Sequence, residues 1–146
     1  MPRRRRFALW VVVILIVGFG AVQLVPYGRD HTNPPVTGEP AWDTPQTLAL
    51  ARQACFDCHS NETVWPWYAS VAPGSWLVYR DVVVGRAELN FSEWPAAGGG
   101  GLLAETAEVV AEGEMPPLQY RLIHSAARLS DAQRRQLGDG LRATAR

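Results

Sequence analysis

The chain reads as an all-α protein, a single apolar helix followed by a small helical body, and three observations predict this. An apolar run from Phe7 to Val22 stands directly behind Arg3-Arg4-Arg5-Arg6. Beyond residue 44, apolar side chains recur at three- and four-residue spacing between recognisable helix start and stop signals. Val82-Val83-Val84 could pass for a strand, but no partner strand is apparent. At 146 residues the chain has room for one domain behind the leading segment.

The N-terminal run, extended through Gln23, Leu24 and Val25, spans 19 residues. At ~1.5 Å per residue that is about 28 Å of helix, enough for a hydrocarbon core of about 30 Å. Trp10 and Tyr27 flank it, where amphipathic rings favour the membrane interfaces. Residues 1–6 then form a basic cytoplasmic tail, residues 7–25 a transmembrane signal anchor, and the body lies on the opposite side. A cleaved signal peptide is the competing reading, with Gly18 and Gly20 before Ala21. The apolar run exceeds the usual length for that, and no Ala-x-Ala precedes the cut. The uncleaved anchor is therefore the expectation.

Residues 26–44 contain Pro26, Pro34, Pro35 and Pro40 with Gly28 and Gly38, the composition of a stiff, extended tether. The body, residues 45–146, should open with a helix capped by Thr44, with Pro45 in its first turn, running into Cys55. A second helix begins near Ser75 and carries Trp76, Tyr79, Val83 and Ala87. A third spans Leu102 to Glu112, with Leu102, Thr106, Val109 and Val110 on one side, and stops at Gly113. The last starts at the capping-box spacing of Ser130 and Gln133 and carries Leu137 and Leu141. Gly138 and Gly140 weaken it or let it approach a neighbour closely. Gly98 to Gly101 reads as a flexible loop.

All 14 basic residues are arginine, and four precede the apolar run; all 14 acids follow it. Residues 27–146 thus hold ten arginines against 14 acids, a net charge of −4. That argues against nucleic-acid binding, whose footprint is a basic patch.

The chemistry concentrates in Cys55-Phe56-Asp57-Cys58-His59, which contains the only two cysteines of the chain. Two thiols three positions apart followed by an imidazole are what covalent attachment of one haem c requires. On a helical turn, Cys55 and Cys58 share a face and can reach two vinyl groups, while His59 offers its ring nitrogen as the proximal iron ligand. A thioredoxin-like pair would follow a buried strand, and the residues before Cys55 are helix formers. A zinc site would need further ligands such as His124, and adjacent Cys58 and His59 suit one metal poorly.

Met115 is the sole methionine besides Met1, in Gly113-Glu114-Met115-Pro116-Pro117. Two prolines make an extended strap that can hold its thioether against the iron, so Met115 is the candidate distal ligand. The alternative is a core-filling methionine. His124 is the rival ligand, and a loop histidine bonded to backbone is its plainer role; His31 lies in the tether. Trp65, Trp67 and Tyr68 are candidate walls of a haem pocket, or simply core aromatics. Arg52, Arg80, Arg86 and Arg121 are possible partners of haem propionates.

These residues together resemble a family of small haem-binding domains found in bacterial membrane-anchored proteins. The carriers are Cys-Phe-Asp-Cys-His-Ser-Asn-Glu-Thr (55–63), Trp-Pro-Trp-Tyr (65–68), Leu-Asn-Phe-Ser-Glu-Trp (89–94), Gly-Glu-Met-Pro-Pro (113–117) and the segment up to Arg-Leu-Ser (128–130). The resemblance implies a monohaem, cytochrome-c-like helical domain with thioethers at Cys55 and Cys58 and His59 proximal, and Met115 matches the family's Met-Pro segment. Pro95 to Gly101 departs from the pattern, leaving the start of the third helix open.

The expectation is a membrane-tethered electron carrier facing the periplasmic side of a bacterial inner membrane, with an unidentified redox partner protein. No nucleophile–base pair or paired carboxylates stand out, so an enzyme is not expected. The alternatives are a haem-based sensor or peroxidase-like protein with an open sixth position, and a haem-free dithiol oxidoreductase.

Overall fold

The computed structural model describes residues 3–95 and 99–146. Among the described residues there are seven α-helices, two short 3₁₀ turns (Trp67–Ser70 and Ser125–Ala127) and no strand: α1 (Arg3–Val22), α2 (Pro45–Ala54), α3 (Phe56–His59), α4 (Gly74–Glu88), α5 (Gly100–Glu112), α6 (Leu118–Ile123) and α7 (Asp131–Thr144). Two compact units result. The first comprises the chain up to Thr32 with Trp65–Asp81, and the second Asn33–Val64 with Val82–Arg146.

In the first unit, α1 is 20 residues long and buries none of them; among the described residues it alone is long and apolar enough to cross a membrane. The helix stops at Val22, short of the expected Val25. Pro26 disfavours helical backbone just before it, and the Gln23 side chain turns away to the backbone of Ala72. Its Nε2–H donates to the Ala72 carbonyl at 2.9 Å and its Oε1 accepts from the Ala72 N–H at 3.0 Å. Gly28 follows at φ +78°, a left-handed conformation that favours glycine, where a Cβ would stand 2.7 Å from the Ser75 carbonyl oxygen.

The second unit is built from α2, α3, α5, α6, α7 and the end of α4. Thr44 caps α2, its hydroxyl accepting the Thr47 N–H at 3.2 Å, with Pro45 in the first turn as the sequence predicts. Ser130 and Gln133 close a reciprocal capping box on α7. Gly113, at φ +78°, ends α5 with its N–H on the Val109 and Val110 carbonyls. The core joins Leu50, Ala51, Ala54 and Phe56 to Phe91, Leu103, Ala107, Val110, Leu129, Leu137 and Leu141. Phe91 is fully buried, stacked on Phe56 at 5.4 Å and beside Trp42 at 5.2 Å. Burying a side chain of that size contributes about 1.5–3 kcal/mol.

Four expectations change. The buried side of α5 is Leu103, Ala107 and Val110, while Leu102 is exposed: the stripe sits one position further on, toward α7. The glycine loop is shorter than expected, because Gly100 and Gly101 already lie in the first turn of α5; Gly98 is outside the described residues. On α4, Val83 of the expected stripe is exposed and Val82 beside it is buried, although Val82-Val83-Val84 is helical as read. Residues 26–44 carry no helix, yet they are not a bare tether. In the second unit the Thr37 and Gly38 N–H groups donate to the Ser92 carbonyl, the Trp94 N–H donates to the Gly38 carbonyl, and Trp42 packs on the core. Of the two roles for the α7 glycines, close approach applies at Gly140, where a Cβ would collide with the Thr47 side chain of α2.

Candidate haem site

Cys55 ends α2 and precedes the single turn α3, so the motif lies where two helices meet. The Cys58 and His59 N–H groups both donate to the Cys55 carbonyl, at 3.1 and 2.9 Å, which sets the two cysteines on one turn. Both cysteines are half-buried, and no disulfide joins them. Burial, and secondarily Cys58, pushes the Cys55 thiol up to about 12. A dithiol-exchange nucleophile needs the opposite shift.

His59 is held from the far side of its ring. Nδ1 lies 3.1 Å from the Leu89 carbonyl oxygen. A carbonyl only accepts, so Nδ1 carries the proton and Nε2 keeps its lone pair, the tautomer required of a metal ligand. Burial lowers the His59 pKa against the opposing backbone bonds, which favours the neutral ring.

A loop clamps this histidine. The Phe91 N–H donates to the His59 carbonyl at 2.8 Å, and the Asn61 N–H donates to the Ser92 hydroxyl at 3.0 Å. Asn90 Nδ2–H donates to Asn61 Oδ1, and Asn61 Nδ2–H donates to the Pro35 carbonyl and to Glu93, each near 3 Å. Arg86 adds a third side: Nε–H donates to the Ser60 carbonyl at 2.8 Å, and an η-nitrogen donates to Asn33 Oδ1 and Thr63 Oγ1. Gly85 lets α4 touch the motif; a Cβ there would stand 2.6 Å from the Cys58 carbonyl oxygen.

Asp57, inside the motif, was not singled out by sequence reasoning, and neither was Tyr120. The Tyr120 hydroxyl donates to Asp57 Oδ2 at 2.5 Å, and Asp57 Oδ1 accepts the Val64 N–H at 3.1 Å. Gln53 Nε2–H also donates to the Ala126 carbonyl at 2.5 Å, so α6 and the turn after it are tied to the motif. No local pattern announces a pair 63 residues apart.

Met115 is 39 % exposed and borders a cavity of about 400 Å³ with Pro116, Leu118, Arg121, Leu122, Ala127, Arg128, Leu129 and Arg134. Arg121 Nε is buried in that region without a hydrogen-bond partner. His124 stacks on Tyr120 at 3.9 Å, and its Nδ1 lies 3.2 Å from the Tyr120 carbonyl, a backbone bond of the same kind as the one His59 makes. Trp65, Trp67 and Tyr68 belong to the first unit, apart from the unit that holds the motif: Trp65 stacks on His31 at 4.5 Å, and Trp67 packs edge-on to Tyr68 and is 80 % exposed. Arg52 pairs with Glu39 and Glu62, and Arg80 lies near Asp81. Among the described residues no cluster of three or more His, Cys, Asp or Glu could hold a metal ion, so Cys55, Cys58, His59 and His124 do not assemble a zinc site.

The residues present fit a haem. A histidine whose Nδ1 lies on a backbone carbonyl directly follows two cysteines on one turn. The Tyr120–Asp57 bond ties α6 to the motif, and α6 lines the largely apolar cavity, where Arg121 Nε is buried with no partner. A small helical body of this construction is a haem-binding protein. The chain belongs to the haem-binding domain family, whose model matches residues 17–143. No curated protein and no solved structure matches it.

Proposed function

We propose that this protein is a membrane-tethered c-type haem protein that carries single electrons on the outer face of a bacterial inner membrane. Cys55 and Cys58 would hold one haem through thioethers, His59 Nε2 would take the proximal iron position, and Met115 the distal one. The haem supplies reversible one-electron chemistry, and the protein supplies ligands, a low-dielectric surround and a fixed orientation. The observation that carries the reading is the His59–Leu89 bond, which engages Nδ1 and leaves Nε2 as the acceptor in the residue that follows the two-thiol turn. The raised Cys55 thiol speaks against the dithiol reading. No enzymatic step is assigned to these residues.

A pyridine haemochrome spectrum with intact mass on protein matured in an exporting host tests attachment: one haem per chain through two thioethers is expected, and a colourless, active protein overturns it. A low-spin ferric spectrum with a methionine–iron charge-transfer band is expected for the carrier. A high-spin iron that binds CO or peroxide readily would replace it with the sensor or peroxidase-like reading.

A further inference from the structure

From Thr63 to Tyr79 no residue carries a charge, and the stretch includes Trp65, Trp67, Tyr68, Trp76 and Tyr79. The part in the first unit is bound at four points to the residues that immediately follow α1. The Gln23 amide pairs with the Ala72 backbone, Tyr27 packs edge-on to Tyr79 at 5.3 Å, Gly28 fits against Ser75, and His31 stacks on Trp65 while bonding the Ala69 carbonyl at 3.0 Å. Gln23 is the first residue beyond the helix end, so Ala72 is fixed within hydrogen-bond reach of the point where α1 finishes. Exposed apolar side chains flank both partners of this bond in the chain, Leu24 (82 % exposed) and Val25 beside Gln23 and Val71 beside Ala72, and Trp67 (80 %) and Leu77 are exposed in the same unit.

Five water-facing apolar side chains in one compact unit, a tryptophan almost fully bare among them, mark an interaction surface. Its position names the partner. Where α1 leaves the hydrocarbon, the polar zone of one leaflet is about 5–8 Å deep, and Trp and Tyr concentrate there because one end of each ring is apolar and the other wet. We propose that the surface formed by Leu24, Val25, Trp67, Val71 and Leu77 is seated in the headgroup–acyl boundary of the bilayer that α1 crosses, making residues 65–79 a membrane-resting collar. The proposal rests on reading α1 as a membrane span. A protein partner is the other possible occupant; the uncharged composition and the continuity with the end of α1 favour lipid.

The test uses the full-length holoprotein in phosphatidylcholine nanodiscs, with a nitroxide attached to Trp67→Cys, Leu77→Cys, Ile14→Cys or Glu108→Cys and single labelling verified by mass. Residues 67, 77 and 108 are exposed, so the labels should leave the haem spectrum unchanged, which confirms folding. Oxygen-to-nickel-chelate accessibility at 67 and 77 should be several-fold above that at Glu108 on α5, and below that at Ile14. Labels at 67 and 77 that behave like 108 while 14 is lipid-buried would overturn the collar and leave the span intact. Water exposure at 14 as well would sink the span, and the collar with it.

Discussion

At residue scale the site depends on which atoms are already spoken for. The Leu89 carbonyl uses the His59 Nδ1–H, so the ring can present only Nε2 outward. Met115 borders the cavity and is 39 % exposed. Met115→Ala should turn the ferric iron high-spin, abolish the methionine charge-transfer band and admit CO, whereas His124→Ala should leave the spectrum nearly unchanged. The reverse pattern in optical and EPR spectra would transfer the distal role to His124. The Asp57–Tyr120 bond makes a separate claim, on stability. A hydrogen bond to a charged acceptor contributes about 1.5–3 kcal/mol and this one is only part-buried, so Tyr120→Phe should cost about 1–2 kcal/mol. Asp57→Ala should cost slightly more in denaturant unfolding of the holoprotein, because it also removes the acceptor of the exposed Val64 N–H.

At the scale of elements, the two motifs flanking the haem sequence explain each other. Residues 55–63 and 89–94 are the two halves of one hydrogen-bonded clamp, with Asn61, Asn90 and Ser92 facing across it. Caps, stops and helical spacing made α2, α4, α5 and α7 legible, because those signals are local. Thr44 with Pro45, Gly113, and Ser130 with Gln133 each mark the end they were read to mark. What was illegible is long-range: that Trp42 in the supposed tether joins the core, that Tyr120 reaches Asp57, and that the aromatic run 65–68 belongs with the end of α1. The short α6 was also missed, since six residues after two prolines give no periodicity to read. Gly85 makes the contact of α4 with the motif testable. Its Cβ would meet the backbone of Cys58, which has no flexible end to yield, so Gly85→Ala should force α4 off the motif and sharply reduce recovered holoprotein. Gly101→Ala is the control: nothing stands within 4 Å of a Cβ there, and on α5 it should gain up to about 1 kcal/mol. Equal haem yields from the two variants would contradict the close approach.

On the scale of the whole molecule, charge and hydropathy divide the chain into a basic end, an apolar helix and an acidic body. Four arginines precede the apolar run and residues 27–146 carry −4, an asymmetry that a membrane protein uses to choose its orientation. The basic flank resists translocation, while acidic residues contribute little to the choice. The body of about 100 residues has a modest core of its own, so a covalently held macrocycle should supply much of its stability. Cys55→Ser with Cys58→Ser should therefore lower holoprotein recovery steeply, and a normally folded, colourless, active double variant would end the haem c assignment. Orientation is tested at the other end. Replacing Arg3, Arg4, Arg5 and Arg6 by neutral residues removes the arginines that lead into the apolar run, and a C-terminal reporter active solely outside the cytoplasm should then lose much of its signal. Because haem is attached to exported thiols in this reading, the fraction of chains inserted the wrong way round should also lack haem, and the two losses should track each other across partial arginine replacements. Retention of full reporter signal and full haem content with all four arginines gone would show that the body is exported on other information. A soluble exported form beginning near Ala21 would show that α1 is a cleaved leader.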